Sequence, residues 1–344
     1  MGERSSATLL LPWLEGPLTE LLTGRDRLHH ALLLHGPAGI GKQQFALSLS
    51  ASLLCEKSDR AGLLACGACP ACHWMSEGSH PDFRFVRPEA HDPDFVPARS
   101  RKPSSDIKID QIRALSSFLS VGSHRDGWRV VLIHPAQAMN FVTANGLLKT
   151  LEEPGANTLI ILVSSQPNRL TPTVRSRCRQ IRLPAPDTDQ AVSWLLANGM
   201  TDESSARGAL AATGAPLSAL DFADPAVATA HQAILETVSA LPDTAELRAV
   251  EALDRHEPIR WASVLQRWIS DLARVSAGAA PHYFPAFADR LLQLSARTRL
   301  DHLTRLQTRL LDLNARIDHP LNARMICEST ILAYCQVFER SGRI

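Results

Sequence analysis

ALLLHGPAGIGKQ, residues 31–43, decides the fold. Ala31–His35 is a short apolar run that enters a glycine-rich turn, and Lys42–Leu54 follows with helical spacing. Strand, turn and helix in that order frame Gly36-x-x-x-x-Gly41-Lys42, the spacing of a phosphate-binding loop. Gly36, Gly39 and Gly41 let backbone N–H groups wrap an oxyanion. The helix N-terminus adds partial positive charge, and Lys42 reaches the outer phosphates. The bland alternative is a chance glycine-rich turn, and the flanking strand and helix weigh against it.

The pattern continues outward. Arg129–His134 (RVVLIH) reads as a second buried strand, Thr158–Ser164 (TLIILVS) as a third, and Arg179–Leu183 as a possible fourth. Phe141–Leu151 reads as a helix stopped before Pro154. Strands separated by helices imply a parallel sheet covered on both faces, an α/β domain. Two stretches interrupt it: residues 55–80, rich in Cys, Gly and His, and the Pro-, Ser- and charge-rich loop 88–106. Beyond Pro184-Ala185-Pro186 strand signals nearly vanish, and Asp187–Asn198, Glu203–Thr213 and most of 225–343 carry helical spacing. The expected organisation is an α/β domain over 1–184, a small helical domain over 185–224 and a larger all-α bundle over 225–344.

With 344 residues the chain has room for two or three domains. Lys+Arg is 36 against 35 Asp+Glu, so net charge gives no reason to expect tight DNA binding by this chain alone. No run of about 18 apolar residues is free of charge, which argues against a membrane span. Met1–Glu15 lacks the basic, apolar and small-residue order of a secretory signal, so a cytoplasmic location is expected. Seven cysteines, four of them clustered, suit a metal site in a reducing compartment better than a disulfide framework.

The phosphate loop carries a defect. Position 43 should offer a hydroxyl to Mg²⁺, and Gln43 offers only a longer neutral amide. The strand through Val130–Ile133 should end in a carboxylate that holds the metal's water shell, and it ends in His134-Pro135. Phosphoryl transfer depends on charge compensation at these positions. The expectation is a fold that kept the phosphate cradle and lost the chemistry, with ATP binding weak or absent. The alternative is that another carboxylate, Glu152 or Glu153, substitutes.

Cys55, Cys66, Cys69 and Cys72 stand as C-x10-C-x2-C-x2-C. Two tight spacings and one long gap place four soft ligands around one tetrahedral ion with no open position, which favours structural Zn²⁺ over an iron–sulfur cluster. His73 is a possible substitute ligand and is read as a surface residue. Cys178, Cys327 and Cys335 are read as ordinary core or surface thiols. In Val174-Arg175-Ser176-Arg177-Cys178-Arg179 an arginine at the domain edge can reach a neighbour's phosphates, because guanidinium stays charged and forks onto oxygens. A solvated basic turn explains that spacing equally well.

Taken together, these residues resemble the clamp-loader family of AAA+ proteins that serves bacterial DNA polymerase III. The matching stretches are Pro12-Trp13-Leu14, HALLLHGPAGIGK (30–42), CGACPAC (66–72), His80-Pro81-Asp82, Ile109–Arg113, NGLLKTLEEP (145–154) and VRSRCR (174–179), spanning about residues 10–185. The resemblance implies a RecA-like AAA+ domain with an inserted zinc module, a helical lid and a helical collar. It further implies a hetero-pentameric ring with delta and gamma/tau subunits, which loads the beta sliding clamp onto primed DNA within the polymerase holoenzyme. The family's trans arginine finger maps onto Arg177, and its sensor-1 region maps near Ser164-Ser165. Its sensor-2 arginine should fall within 214–220, where Leu217 stands instead. That departure agrees with Gln43 and His134 and sets this chain apart from the ATPase gamma/tau. Two rivals differ in class: an autonomous gamma/tau-like ATPase, and a zinc-containing module that binds DNA through Arg99, Arg101, Lys102 and Lys108.

Overall fold

The structure is a computed structural model and describes residues 10–57, 64–96, 103–120, 127–314 and 323–338. It divides into two compact units, Met1–Pro186 and Asp187–Ile344.

Among its described residues the first unit is built on five parallel strands: β1 (Ala31–His35), β2 (Phe83–Val86), β3 (Arg129–Ile133), β4 (Thr158–Ser164) and β5 (Arg179–Arg182). Their order across the sheet is β2-β3-β4-β1-β5. Every residue of β3 and β4 is buried, as continuous apolar runs are when both faces are covered. β5 lies at one edge with Arg179, Gln180 and Arg182 exposed, and such charge discourages pairing with another chain. Among the described residues six α-helices accompany the strands: α1 (Glu15–Thr23), α2 (Lys42–Leu54), α3 (Pro70–Ser76), α4 (Ile109–Ser120), α5 (Phe141–Glu152) and α6 (Pro172–Ser176).

Helix α2 is buried along most of its length, and this holds the end of the glycine loop rigid. Its buried Ser50 and Ser52 donate to the carbonyls of Ala46 and Ser48, one turn back, so neither of these two hydroxyls is left unpaired. Helix α5 starts where the Asn140 side chain accepts from Thr143 N–H at 2.9 Å, and α6 starts where Thr171 caps Val174 with Pro172 at its first turn.

β1, α2, β3 and β4 lie where the sequence places them. β2 does not appear in the sequence reading. It is four residues long, sits at the sheet edge and lies between two irregular stretches, so its only signal is Phe83, Phe85 and Val86. Helices α1 and α4 also emerge only from the structure.

The second unit contains no strand among the described residues. Its helices are α7 (Thr188–Ala197), α8 (Glu203–Thr213), α9 (Pro216–Leu220), α10 (Pro225–Ala240), α11 (Glu246–Leu253), α12 (Pro258–Ser276), α13 (Ala288–Ser295), α14 (Leu300–Asn314) and α15 (Ala323–Gln336). Trp261, Trp268 and Tyr334 are fully buried in one core, where the Trp268 indole N–H donates to the Tyr334 hydroxyl at 2.8 Å. Buried Asp271 accepts from the N–H groups of His282, Tyr283 and Phe284 at 2.7–2.8 Å and so fixes the turn that closes this core. Of the leucine stripe on α14, Leu303, Leu306 and Leu310 are buried, while the Leu313 side chain and Ile317 lie outside the described residues. No described helix is long and apolar enough to cross a membrane.

Candidate functional site

The glycine loop joins β1 to α2 at the carboxyl ends of the strands. Gly36 approaches so closely that a Cβ would stand 2.7 Å from the Leu183 carbonyl oxygen, and a Cβ on Gly41 would stand 2.1 Å from Leu11. Gly41 also adopts φ 93°, open to glycine and strained for other residues. The loop is braced from the N-terminal side, where the Trp13 indole donates to Ile40 O at 2.9 Å.

Lys42 is 6% exposed, and its ammonium donates to Pro37 O at 2.5 Å, folded back across the loop. Burial lowers its pKa to about 8. His134, at the end of β3, is held neutral. Burial first, then the charges of Lys42 and His91, bring it down to about 4. His35 is lowered by burial and then by Arg182 and Lys42. The charges that bear on this corner are therefore cationic. A cavity of about 270 Å³ opens beside Pro37, lined by Arg182, Leu183, Pro184 and Ala185. Sites for drug-sized ligands begin near ~300 Å³.

At the ends of β3 and β4, the Ser164 hydroxyl donates to the Gln137 carboxamide oxygen at 2.7 Å, and Gln137 donates to Ser165 at 3.2 Å. Sequence reading picked out Ser164-Ser165 and missed Gln137, which has no motif and is brought there only by the turn after His134-Pro135.

Arg177 lies at the other end of the sheet. β1 and β5 are parallel, with Leu32 beside Arg179 and His35 beside Arg182. Gly36 follows one end of this ladder and Arg177 precedes the other, a separation of roughly 15–20 Å along the strands. The Arg177 Nε donates to Glu152 Oε1 at 2.7 Å, its Nη2 contacts the same oxygen, and its Nη1 donates to Thr173 O at 2.9 Å. Arg175, the other candidate in this turn, is turned aside to Asn168 at 3.0 Å. Glu152 closes α5 just before β4 begins, so it too stands at the end away from the glycine loop, paired with Arg177. It is not placed to act as the substitute carboxylate considered above.

The four clustered cysteines come together. Their Sγ atoms all lie within 4.8 Å of one another, with Cys55–Cys69 and Cys66–Cys72 both at 3.9 Å. A tetrahedron with ~2.3 Å metal–sulfur bonds has edges of about 3.8 Å. Backbone N–H groups point at two of the sulfurs, Cys66 N to Cys55 at 3.4 Å and Cys72 N to Cys69 at 3.5 Å, a feature that suits thiolates. Burial raises the Cys55 thiol and pushes Cys72 up to about 12, whereas exposed Cys66 is lowered to about 6, chiefly by the Ala68 N–H. His73 faces outward, 3.2 Å from Glu77, so the set is four thiols. Cys178, Cys327 and Cys335 are buried among apolar neighbours.

Of the proposed DNA-binding loop, Arg99, Arg101 and Lys102 lie outside the described residues, and Lys108 is paired with Glu89.

A glycine cradle between the first strand of a parallel sheet and a buried helix defines a P-loop nucleotide-binding fold. More particularly, residues 18–187, just under half of the chain, match the model of the family described as DNA polymerase III, delta subunit. The DNA polymerase III subunit delta' of Pseudomonas aeruginosa is 42% identical over 194 residues, 56% of this chain and 54% of that protein. The delta' subunit of Escherichia coli is 35% identical, covering 54% of this chain and 52% of its own length. The tau subunit of Escherichia coli is 32% identical over 70% of this chain and 36% of its own length. The chain spans about half the length of the delta' relatives it matches.

Proposed function

We propose that the chain works as a delta-prime-type subunit of the clamp loader of DNA polymerase III. In this reading it hydrolyses no ATP of its own and lends Arg177 to the ATP site of a neighbouring gamma/tau subunit. The observation that carries the reading is the separation of the two ends of the sheet. The glycine cradle is surrounded by Lys42, His35, His134 and Gln43, with no hydroxyl or carboxylate at the two metal-holding positions. A half-exposed guanidinium is braced at the opposite end, too far away to serve that cradle.

A P-loop enzyme holds Mg²⁺ with a hydroxyl and a carboxylate and orients water beside the γ-phosphate. Here a neutral imidazole and a carboxamide stand in those places, and Lys42 is satisfied by Pro37. Nucleotide binding is then weak or absent. When a neighbour's ATP is brought against Arg177, its guanidinium compensates the charge that develops on the transferred phosphoryl group. The subunit itself serves as a fixed surface in a cytosolic hetero-pentameric ring with delta and gamma/tau, through which the beta clamp is placed on primed DNA. The α/β domain over 1–184 would then be followed by a lid over 185–224 and a collar over 225–344.

Cys55, Cys66, Cys69 and Cys72 fit Zn²⁺ by ligand type, count and spacing. A bound zinc would supply four strong bonds that close the 55–72 loop, a structural role.

The test is reconstitution. Clamp loading onto primed DNA by delta and gamma/tau should require this chain. Equal loading without it would refute the assignment.

A further inference from the structure

We infer that Glu152 is the positioning residue for Arg177, holding its guanidinium ready to engage the phosphate of a neighbouring subunit. This rests on the proposed role of Arg177 and adds a second residue to it. Arg177 ends the five-residue helix α6, and a long side chain there has many rotamers open to it. Two elements fix it. Glu152 Oε1 accepts from Nε at 2.7 Å and also contacts Nη2, so one carboxylate oxygen sits against one flank of the guanidinium. Thr173 O accepts from Nη1 at 2.9 Å on another side. A guanidinium has five N–H donors, and these contacts engage three of them. The remaining two are on the Nη groups, the pair that forks onto phosphate oxygens. The Arg177 side chain remains 34% exposed and that of Glu152 50% exposed, so the pair is open to an incoming ligand.

Both holders stand on fixed ends. Glu152 is the last residue of α5, whose inward face buries Leu147 and Leu151. Thr173 lies in the capped first turn of α6, whose Val174 is fully buried. The adjacent Arg175 has no such cradle and points to Asn168. The selection between two arginines that are alike in sequence is thus made by Glu152 and Thr173. Against a fully charged γ-phosphate the guanidinium gains a second anionic partner without having to find its orientation.

The experiment is single-turnover ATP hydrolysis by the reconstituted complex on primed DNA, which resolves the site facing Arg177 as its own kinetic phase. Glu152→Ala should slow that phase by about tenfold to a hundredfold, the range a misplaced catalytic group costs, with KM for ATP and complex assembly unchanged. Glu152→Gln keeps the acceptor oxygen and should restore the rate to within about threefold of the unsubstituted complex, a rescue set by the geometry of that acceptor. A normal phase in Glu152→Ala alongside a slow one in Arg177→Ala overturns the positioning role and leaves the finger standing. A normal phase in Arg177→Ala overturns both. A Glu152→Gln complex as slow as Glu152→Ala also overturns positioning.

Discussion

At the carboxyl ends of β1 and β3 the glycine cradle sits among Lys42, His134 and Gln43; at the amino ends of β4 and β5 Arg177 rests on Glu152. The first corner is inward-looking. Its lysine is 6% exposed and bonded to its own loop, and its histidine is neutral. The second is outward-looking, with a charged fork left partly in solvent. A phosphate-binding fold thus presents one corner that has kept its shape and another that has kept its charge. Shape is maintained by packing, since Gly36 and Gly41 have no room for a side chain, and that packing is needed for the sheet whether or not nucleotide binds. The charge at the second corner is held by Glu152 and Thr173 O yet left partly in solvent, which is why Arg177 is the residue on which the proposed function turns.

The contrast is sharpest in paired substitutions. Arg177→Ala should slow hydrolysis at the neighbouring site by about a thousandfold or more, the usual worth of an arginine finger, while Lys42→Ala in the same complex should leave that site within about twofold. Single-turnover kinetics on both complexes measures this directly. Equal losses would mean that the cradle is active.

Next in size is the cysteine cluster, which belongs to neither corner. The purified chain should contain one zinc per molecule by elemental analysis. Cys69→Ser should bring this well below one and expose 55–80 to protease, since metal binding in such modules supplies much of their folding free energy. Iron and visible absorption in the anaerobically purified chain would instead identify a cluster.

The smallest effect is on stability at the cradle. The folded pKa of Lys42, about 8, lies below its ordinary 10.5. Its charge therefore costs the fold free energy at every pH below about 8, and the cost fades as pH rises from there to 10.5. Lys42→Met should stabilise the isolated chain by about 1–3 kcal/mol at pH 7, with the gain shrinking towards pH 10. Chemical denaturation at the two pH values tests it. A loss of stability at pH 7 would mean that the bond to Pro37 O outweighs desolvation.

Much of this was legible beforehand for identifiable reasons. β1, β3 and β4 are continuous apolar runs, and α2 begins at a glycine-lysine pair, so periodicity and punctuation coincide. The four cysteines were legible because metal ligation is a matter of spacing. β2 was not, because four residues at an edge leave too little pattern. Nor was the choice of Arg177 over Arg175 legible from local spacing. It depends on Glu152, 25 positions away and brought near only by the fold. Gln137 was missed for the same reason, since its partners Ser164 and Ser165 stand at the end of β4, 27 and 28 positions along the chain. Local chemistry can be read along the chain, whereas pairings across elements need coordinates.

The most direct test of the central claim is phosphate release from Mg·ATP by the purified chain alone. The account predicts a rate at background, unchanged by Lys42→Ala. Steady turnover that requires magnesium and disappears with that substitution would contradict it.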